Sequence, residues 1–201
     1  MGCAGGGLMK LLDRPIEVKP SIARSGDDPA HLAAIYDHEV ALTLWSRPNP
    51  VTVPREDLDG LVGFNVTCSI GEVRHTINIA LSGATARSWH VPLLADIVDL
   101  SHRFAALMEI DDVSIRLEAI SGNACWKFHS DYVRARLLTT YVGPGTEWAL
   151  QGENGLDDVH RIPTGHVGIF KGREWTPDGL LLHRSPPIAG TGDVRLLLVI
   201  D

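Results

Sequence analysis

Cysteine is scarce in this sequence, and the few cysteines that occur form no cluster. Three of them are spread over 201 residues, at Cys3, Cys68 and Cys125, without a CxxC pair. An odd number of distant cysteines argues against a disulfide framework and against a thiolate zinc site. We therefore expect reduced thiols and a cytoplasmic location.

Positive charge is also in short supply. The 18 Lys and Arg residues are outnumbered by 25 Asp and Glu residues, which gives a formal net charge of −7. A chain this acidic has no general attraction for nucleic acid or for anionic membrane surfaces. No apolar run approaches the roughly 20 residues that span a bilayer. We accordingly expect neither nucleic acid nor a membrane as a partner.

The motifs of several common enzyme classes are missing. The sequence has no GxGxxG or GxxxxGK[ST] phosphate loop and no GxSxG nucleophile elbow. Ser130 lies between His129 and Asp131, but in a strand its side chain would point away from both. These absences remove support for nucleotide-dependent and serine-hydrolase chemistry.

The remaining composition, 44% hydrophobic and 21% charged, is that of an ordinary globular chain. We interpret residues 1–27 as a flexible leader and residues 28–201 as a single domain. Residues 28–110 form its helical or mixed supporting part, and residues 111–201 are rich in short strands separated by Gly and Pro. Many short strands separated by Gly- and Pro-rich connections favour a β-sandwich or barrel.

Four elements are predicted in the supporting part. Asp28 followed by Pro29 begins a short helix, and Pro54 with an acidic first turn begins another. His38–Trp45 alternates as a strand does. Val91–Glu109 carries its apolar residues on one face and is the clearest amphipathic helix.

The most informative motif is HSD, in the run FHSDYVRARLLTTYV. If this run is one strand, His129 and Asp131 point to the same side. They would share that side with Val133, Ala135 and Leu137. His183, in LLLHRSPP, is the natural third ligand. Two histidines and one carboxylate on one face of an iron(II) ion are typical of non-haem iron oxygenases.

A basic residue follows about a dozen positions after His183. Arg195 begins the apolar run RLLLVI, so part of its side chain should be buried. A guanidinium offers a planar fork that matches a carboxylate. An Arg facing the interior of the β-structure therefore needs an anionic partner, for which an organic acid would serve.

HxD, a distant His and a late Arg together resemble the iron(II)/2-oxoglutarate-dependent dioxygenases. This resemblance covers about Cys125–Asp201, including PTGHVGIFKG before the distal His. It implies a double-stranded β-helix, or cupin-like jelly roll, with helices packed against it. It also implies that His129, Asp131 and His183 bind Fe(II) and that Arg195 binds the distal carboxylate of 2-oxoglutarate.

Three stretches resemble a bacterial family, domain of unknown function 1826, more closely. They are FHSDYVRARLLTTYVGPGTEW, HRIPTGHVGIFKG and LLHRSPP. Genes of that family are associated with zinc homeostasis, so the resemblance implies zinc as a rival metal.

We thus hold two main hypotheses, beside a third possibility, a scaffold that keeps the fold and binds no metal. The first is an iron(II)/2-oxoglutarate-dependent oxygenase acting on a small molecule or a protein. The alternative is a non-catalytic metal-binding protein of zinc homeostasis, in which His160 or His166 would complete a four-ligand site. Tyr141 and Lys127 are weaker candidates for contact with the cosubstrate carboxylate. The substrate and the oligomeric state are left open.

Overall fold

Two facing β-sheets form the scaffold of the protein. The computed structural model describes residues 22–59, 61–152, 155–179 and 181–201. The strands are β1 (Ala23–Gly26), β2 (Leu42–Trp45), β3 (Phe64–Ser69), β4 (Asp112–Ile120), β5 (Ala135–Val142), β6 (Glu147–Gly152), β7 (Gly155–Leu156), β8 (His160–Arg161), β9 (Val167–Lys171), β10 (Leu181–Arg184) and β11 (Arg195–Ile200).

Within the described residues, the larger sheet has seven strands in the order β1-β2-β9-β5-β11-β4-β3, and the smaller contains β10-β6-β7, with β8 paired to β6. Neither sheet closes into a barrel over these residues.

Two α-helices, α1 (Val73–Ala80) and α2 (His90–Met108), lie on one face of the large sheet. The prediction for α2 is confirmed to within one residue at each end. This helix ends at Glu109, whose left-handed backbone (φ 56°) cannot continue it. No helix in the described part of the chain is long and apolar enough to cross a membrane.

The two shorter predicted helices are 3₁₀ helices. Asp28 does cap the first of them, at Pro29–Tyr36, by accepting a hydrogen bond from the backbone of Ala30. The helix expected after Pro54 is a single turn, Arg55–Asp57, and the chain then enters β3. The pairing of β3 with β4 begins at Phe64, the last residue of the expected helical stretch. The leader predicted at residues 1–27 lies mostly outside the described residues.

Alternation of side chains divides the core between the two faces of the large sheet. Leu137, Ile169 and Leu198 belong to a buried cluster with Ile97 and Phe104 of α2. On the opposite, inner face, a second cluster joins the large sheet to the small one; it contains Leu42, Leu138, Phe170, Leu197, Val199 and Leu181. Each fully buried side chain of this kind contributes about 1.5–3 kcal/mol. The space between the sheets is therefore a packed apolar interior with one polar corner.

Candidate metal centre

His129 and His183 face each other across a pair of backbone hydrogen bonds at that polar corner. Each amide donates to the other residue's carbonyl, at 3.0 and 2.9 Å, which makes an isolated antiparallel bridge at the edge of the small sheet. Residues paired in this way project their side chains to the same face. The two imidazole rings accordingly lie 4.7 Å apart between centroids.

Asp131 supplies a carboxylate to the same point. Its Oδ2 lies 3.0 Å from Nε2 of His183, and its Oδ1 lies 3.6 Å from Nε2 of His129. One donor atom from each of the three residues falls within 4.8 Å of the others. The structure thus brings together the three side chains expected from the HxD and distal-His pattern.

The expected face of the strand was wrong. Ala135 and Leu137 face the helices, whereas Arg136 and Leu138 face the three candidate ligands. Residues 132–134 bend rather than extend, so the period-two count does not carry from Asp131 into β5. His129 and Asp131 lie before β5, and His129 pairs with the other sheet.

The protonation states suit metal binding. Nδ1 of His129 lies 2.8 Å from the carbonyl of Lys127. Because a carbonyl can only accept, that nitrogen carries the hydrogen in the neutral ring and leaves the Nε2 lone pair facing Asp131. Burial lowers the pKa of His183, although contact with Asp131 opposes the shift. Burial therefore favours the neutral form of His183, in which one ring nitrogen has a free electron pair, and the neutral tautomer of His129 leaves its Nε2 free.

Asp131 is ionised at neutral pH. Burial raises its pKa, but the close polar contact and charge of His183, with the charges of Arg136 and His129, outweigh burial and bring the pKa to about 2. The charge of Arg136 is permanent and favours the ionised carboxylate whatever the protonation state of the imidazoles. Asp131 therefore presents an anionic oxygen to the site.

These three groups fit a divalent metal ion. Oδ2 of Asp131 is buried without a hydrogen-bond partner of acceptable geometry, despite its proximity to His183. Donor atoms about 3 Å apart are what neighbouring ligands require when each lies about 2.1 Å from one ion. Three described ligands leave further coordination positions free, as in catalytic rather than structural sites.

Arg195 is completely buried, with 0% of its surface exposed. Its Nε donates to the carbonyl of Pro144 at 2.7 Å. The guanidinium also donates to three hydroxyls, those of Ser185 (2.6 Å), Thr146 (3.2 Å) and Thr140 (3.3 Å). All four partners are neutral. Burial and the charge of Arg161 lower the pKa of Arg195 to about 10, although Glu147 opposes them.

A small cavity connects the two polar features. Its lining includes His129, His183 and Arg136 at one side and Ser185 and Thr146, which hold Arg195, at the other. Residues 183 and 185 lie on the same side of β10 and its extension, about 6.5–7 Å apart along the chain. A short diacid is of a size to span from the three ligands to Arg195.

Sequence reasoning missed Arg136 as a residue of this site. Its Nη1 lies 2.5 Å from Oδ1 of Asp131, and its Nε and Nη2 both bind the carboxylate of Asp201 at 2.6 Å. A charged residue between apolar neighbours in a buried strand was the available signal. The assumed strand register assigned it to the wrong face.

The weaker candidates lie elsewhere. Tyr141 faces the helices, where its hydroxyl donates to Asp96, so the structure does not bring it to the cosubstrate side. The ammonium of Lys127 lies over the exposed ring of Trp126. His160 stacks on Trp148, and His166 lies in a loop near Arg47. No described His, Cys, Asp or Glu joins the three ligands as a fourth.

Three solved structures illustrate the proteins to which the chain is similar. The rice dioxygenase for auxin oxidation has a TM-score of 0.47 at 15% identity, over 89% of this chain and 81% of that one. Dioxygenase for auxin oxidation 1 from Arabidopsis thaliana, in complex with 2-oxoglutarate, has a TM-score of 0.43 at 13% identity. This match covers 69% of this chain but only 60% of the other, less than two thirds of its length. A Pseudomonas putida prolyl-4-hydroxylase has a TM-score of 0.43 at 13% identity, over 86% of this chain and 96% of its own.

Sequence comparison identifies the family. No curated protein is significantly similar to the chain. Residues 26–201 match the family described as "Protein of unknown function (DUF1826)". The match includes all three candidate ligands and Arg195, and it confirms the resemblance carried by FHSDYVRARLLTTYVGPGTEW and LLHRSPP. The chain therefore belongs to the DUF1826 family.

Proposed function

We propose that the protein is a non-haem iron(II)- and 2-oxoglutarate-dependent oxygenase. One observation carries the proposal. His129 and His183 line the same cavity as Thr146 and Ser185, two of the residues whose hydroxyls bind the buried Arg195. Asp131 lies beside both histidines, and among the described residues its buried Oδ2 has no hydrogen-bond partner. The arginine itself has only neutral hydrogen-bond partners. A metal ion at one end and a carboxylate at the other would satisfy both groups.

The order of the strands supports a double-stranded β-helix. We count β4 as the first strand, the His129 bridge as a rudimentary second, β5 as the third and β6 as the fourth. The short β7 and β8 make the fifth, and β9, β10 and β11 complete eight. The first, eighth, third and sixth strands are then neighbours in the large sheet, and the second, seventh, fourth and fifth are neighbours in the small one. Such alternation between two sheets is the arrangement of a jelly roll.

The roles of the residues follow from their positions. His129, Asp131 and His183 hold the metal, and Arg195 binds the distal carboxylate of 2-oxoglutarate. When bound, iron(II) with 2-oxoglutarate and dioxygen supplies the oxidising power for attack on a C–H bond. The protein binds and orients these groups, and its apolar inner face keeps bulk water away from them.

A closed structural zinc site has less support. Such sites normally use four protein ligands, and the described residues provide three. His160 stacks on Trp148, and neither His160 nor His166, the expected fourth ligands, belongs to the candidate ligand group. A metal ion held by only three protein ligands has coordination positions left for a small ligand, which favours a catalytic metal over a structural one.

The test uses anaerobic protein purified without a metal-binding tag. Iron(II) and 2-oxoglutarate together should give a weak visible charge-transfer band that neither gives alone. His129→Ala should abolish metal binding and the band. His160→Ala, which alters an exposed histidine outside the site, should retain both. Failure of the parent protein to bind 2-oxoglutarate, with tight zinc binding unaffected by it, would refute the oxygenase and support the zinc alternative.

A further inference from the structure

Arg136 links a candidate metal ligand to a second carboxylate. Its Nη1 contacts Oδ1 of Asp131 at 2.5 Å, while Nε and Nη2 bind the two oxygens of Asp201, each at 2.6 Å. Side-chain exposure is 15% for Arg136, 15% for Asp131 and 26% for Asp201. Bidentate pairs of this kind are geometrically specific as well as strong. The guanidinium therefore has a fixed orientation.

The rigid part of this arrangement is the large sheet. Ile200 pairs with Leu137, so Asp201 follows β11 beside Arg136 on β5. The backbone of Asp201 is held in turn by two hydrogen bonds with Ser114, both of 2.9 Å. Arg136 thus projects from a strand whose neighbour is also anchored, and its position is set by the sheet.

Asp131, by contrast, lies outside any strand. It precedes the bend at residues 132–134, and its backbone carbonyl accepts one hydrogen bond, from Arg173. Without a side-chain contact to hold it, a carboxylate in such a segment could rotate and bind a metal through one oxygen or through both. Binding through both would occupy a coordination position that 2-oxoglutarate or dioxygen needs.

We propose that Arg136 is a positioning residue that restricts Asp131 to binding the metal through one oxygen. By holding Oδ1, it leaves only Oδ2, the unpartnered atom near His183, for the ion. Asp201 fixes the guanidinium for this purpose. The inference rests on the proposed function, since it assumes a metal at the three ligands.

A simple electrostatic account makes the opposite prediction. Arg136 is a cation close to a divalent cation, so its removal should relieve repulsion and tighten metal binding. If positioning dominates, its removal should weaken binding, because hydrogen-bonding partners of ligands typically contribute about 10–100-fold in metal affinity. The sign of the change therefore separates the two accounts.

The probe is cobalt(II), whose visible absorption reports its coordination, added to the full chain with and without 2-oxoglutarate. Arg136→Gln should weaken cobalt binding by about 10–100-fold and change the spectrum. It should also weaken 2-oxoglutarate binding to the cobalt-loaded protein. Arg136→Lys keeps the positive charge but loses the bidentate guanidinium, so its cobalt affinity should lie between those of the parent and Arg136→Gln. Arg134→Gln is the matched control, because Arg134 faces the other way, toward the carbonyl of Met108 and the ring of Trp175.

Asp201→Asn provides a second test of the inference if Arg136→Gln does not fold. It keeps the Arg136 cation and removes one charge from its anchor, so it should shift the cobalt spectrum in the same direction by a smaller amount. If folded Arg136→Gln binds cobalt as tightly as the parent or more tightly, and binds 2-oxoglutarate with the parent's affinity, the inference about Arg136 is wrong and the proposed function still stands. A parent protein that binds neither cobalt nor iron(II) would instead overturn the proposed function.

Discussion

Replacing Arg195 by methionine is the sharpest test of where an anion binds. The change removes the charge and the donor fork but keeps an unbranched apolar side chain of similar reach in a fully buried position. Chiefly burial lowers the pKa of Arg195 to about 10, so its charge is about 3 kcal/mol less favourable here than in water. A bound carboxylate would recover much of that cost.

The expected loss of affinity follows from the hydrogen bonds. Two charge-assisted hydrogen bonds to a carboxylate contribute about 1.5–3 kcal/mol each. Taking about 3 kcal/mol as a cautious total, the dissociation constant for 2-oxoglutarate should rise about 100-fold. Metal affinity should be nearly unchanged, since Arg195 contacts none of the three ligands.

Thermal unfolding gives a convenient assay. At a 2-oxoglutarate concentration of about 100 times the parental Kd, the metal-loaded parent should gain about 2.7 kcal/mol, and the variant about 0.4 kcal/mol. For a domain of this size these gains correspond to about 5–10 °C and about 1 °C in Tm. Arg195→Lys should show an intermediate shift. Arg103→Met, which removes an exposed arginine paired with Asp99, should match the parent. An undiminished shift in Arg195→Met would remove Arg195 from the binding site.

Two further predictions concern residues outside the site. Tyr141→Phe should lower the free energy of unfolding by about 1.5–3 kcal/mol, because it removes a buried hydrogen bond to the Asp96 carboxylate; an unchanged 2-oxoglutarate affinity in isothermal titration would exclude it from cosubstrate binding. Burial raises the pKa of Glu147, but hydrogen bonds from Arg161 and Arg184 outweigh burial and lower the pKa below its usual 4.5. The ionised form therefore stabilises the fold above pH 4.5, and this contribution is lost as the pH falls below that value. Glu147→Gln should be less stable than the parent at pH 7 but lose less stability between pH 5 and pH 3 in urea titrations, and parallel losses would contradict this.

The elements that sequence predicted well are those with strong local patterns. Helix α2 keeps its apolar face over nineteen residues, His90–Met108, and β9 and β11 are short, largely apolar runs that follow segments rich in Gly and Pro. Strands β1 and β3 were missed. β1 has no apolar alternation of its own and is held by its pairing with β2. In β3 the apolar residues Phe64, Val66 and Cys68 do alternate with polar ones, a strand signal that the prediction overlooked.

At the site, the residue types could be predicted and their arrangement only in part. The spacing of His129, Asp131 and His183 named three groups that do lie together. The face of β5 was predicted wrongly because a bend of a few residues inverts every later side chain, and composition does not encode that bend. Because of the same error, Arg136 was assigned to the side of the strand opposite His129 and Asp131.

The charges of the site favour a dianionic partner over a metal alone. With a divalent ion at the three proposed ligands, the ion, Arg136 and Arg195 would contribute four positive charges, and Asp131 and Asp201 would offset one each, which would leave an excess of two. Glu147, near Arg195, does not correct the balance because two other arginines already bind it. Leaving that excess in a largely buried cleft would be costly. Arg136 already has two carboxylates and Arg195 has none in contact, so the missing negative charge belongs between the metal and Arg195. A diacid such as 2-oxoglutarate, as proposed above, would place one carboxylate at each end of that space and cancel the excess.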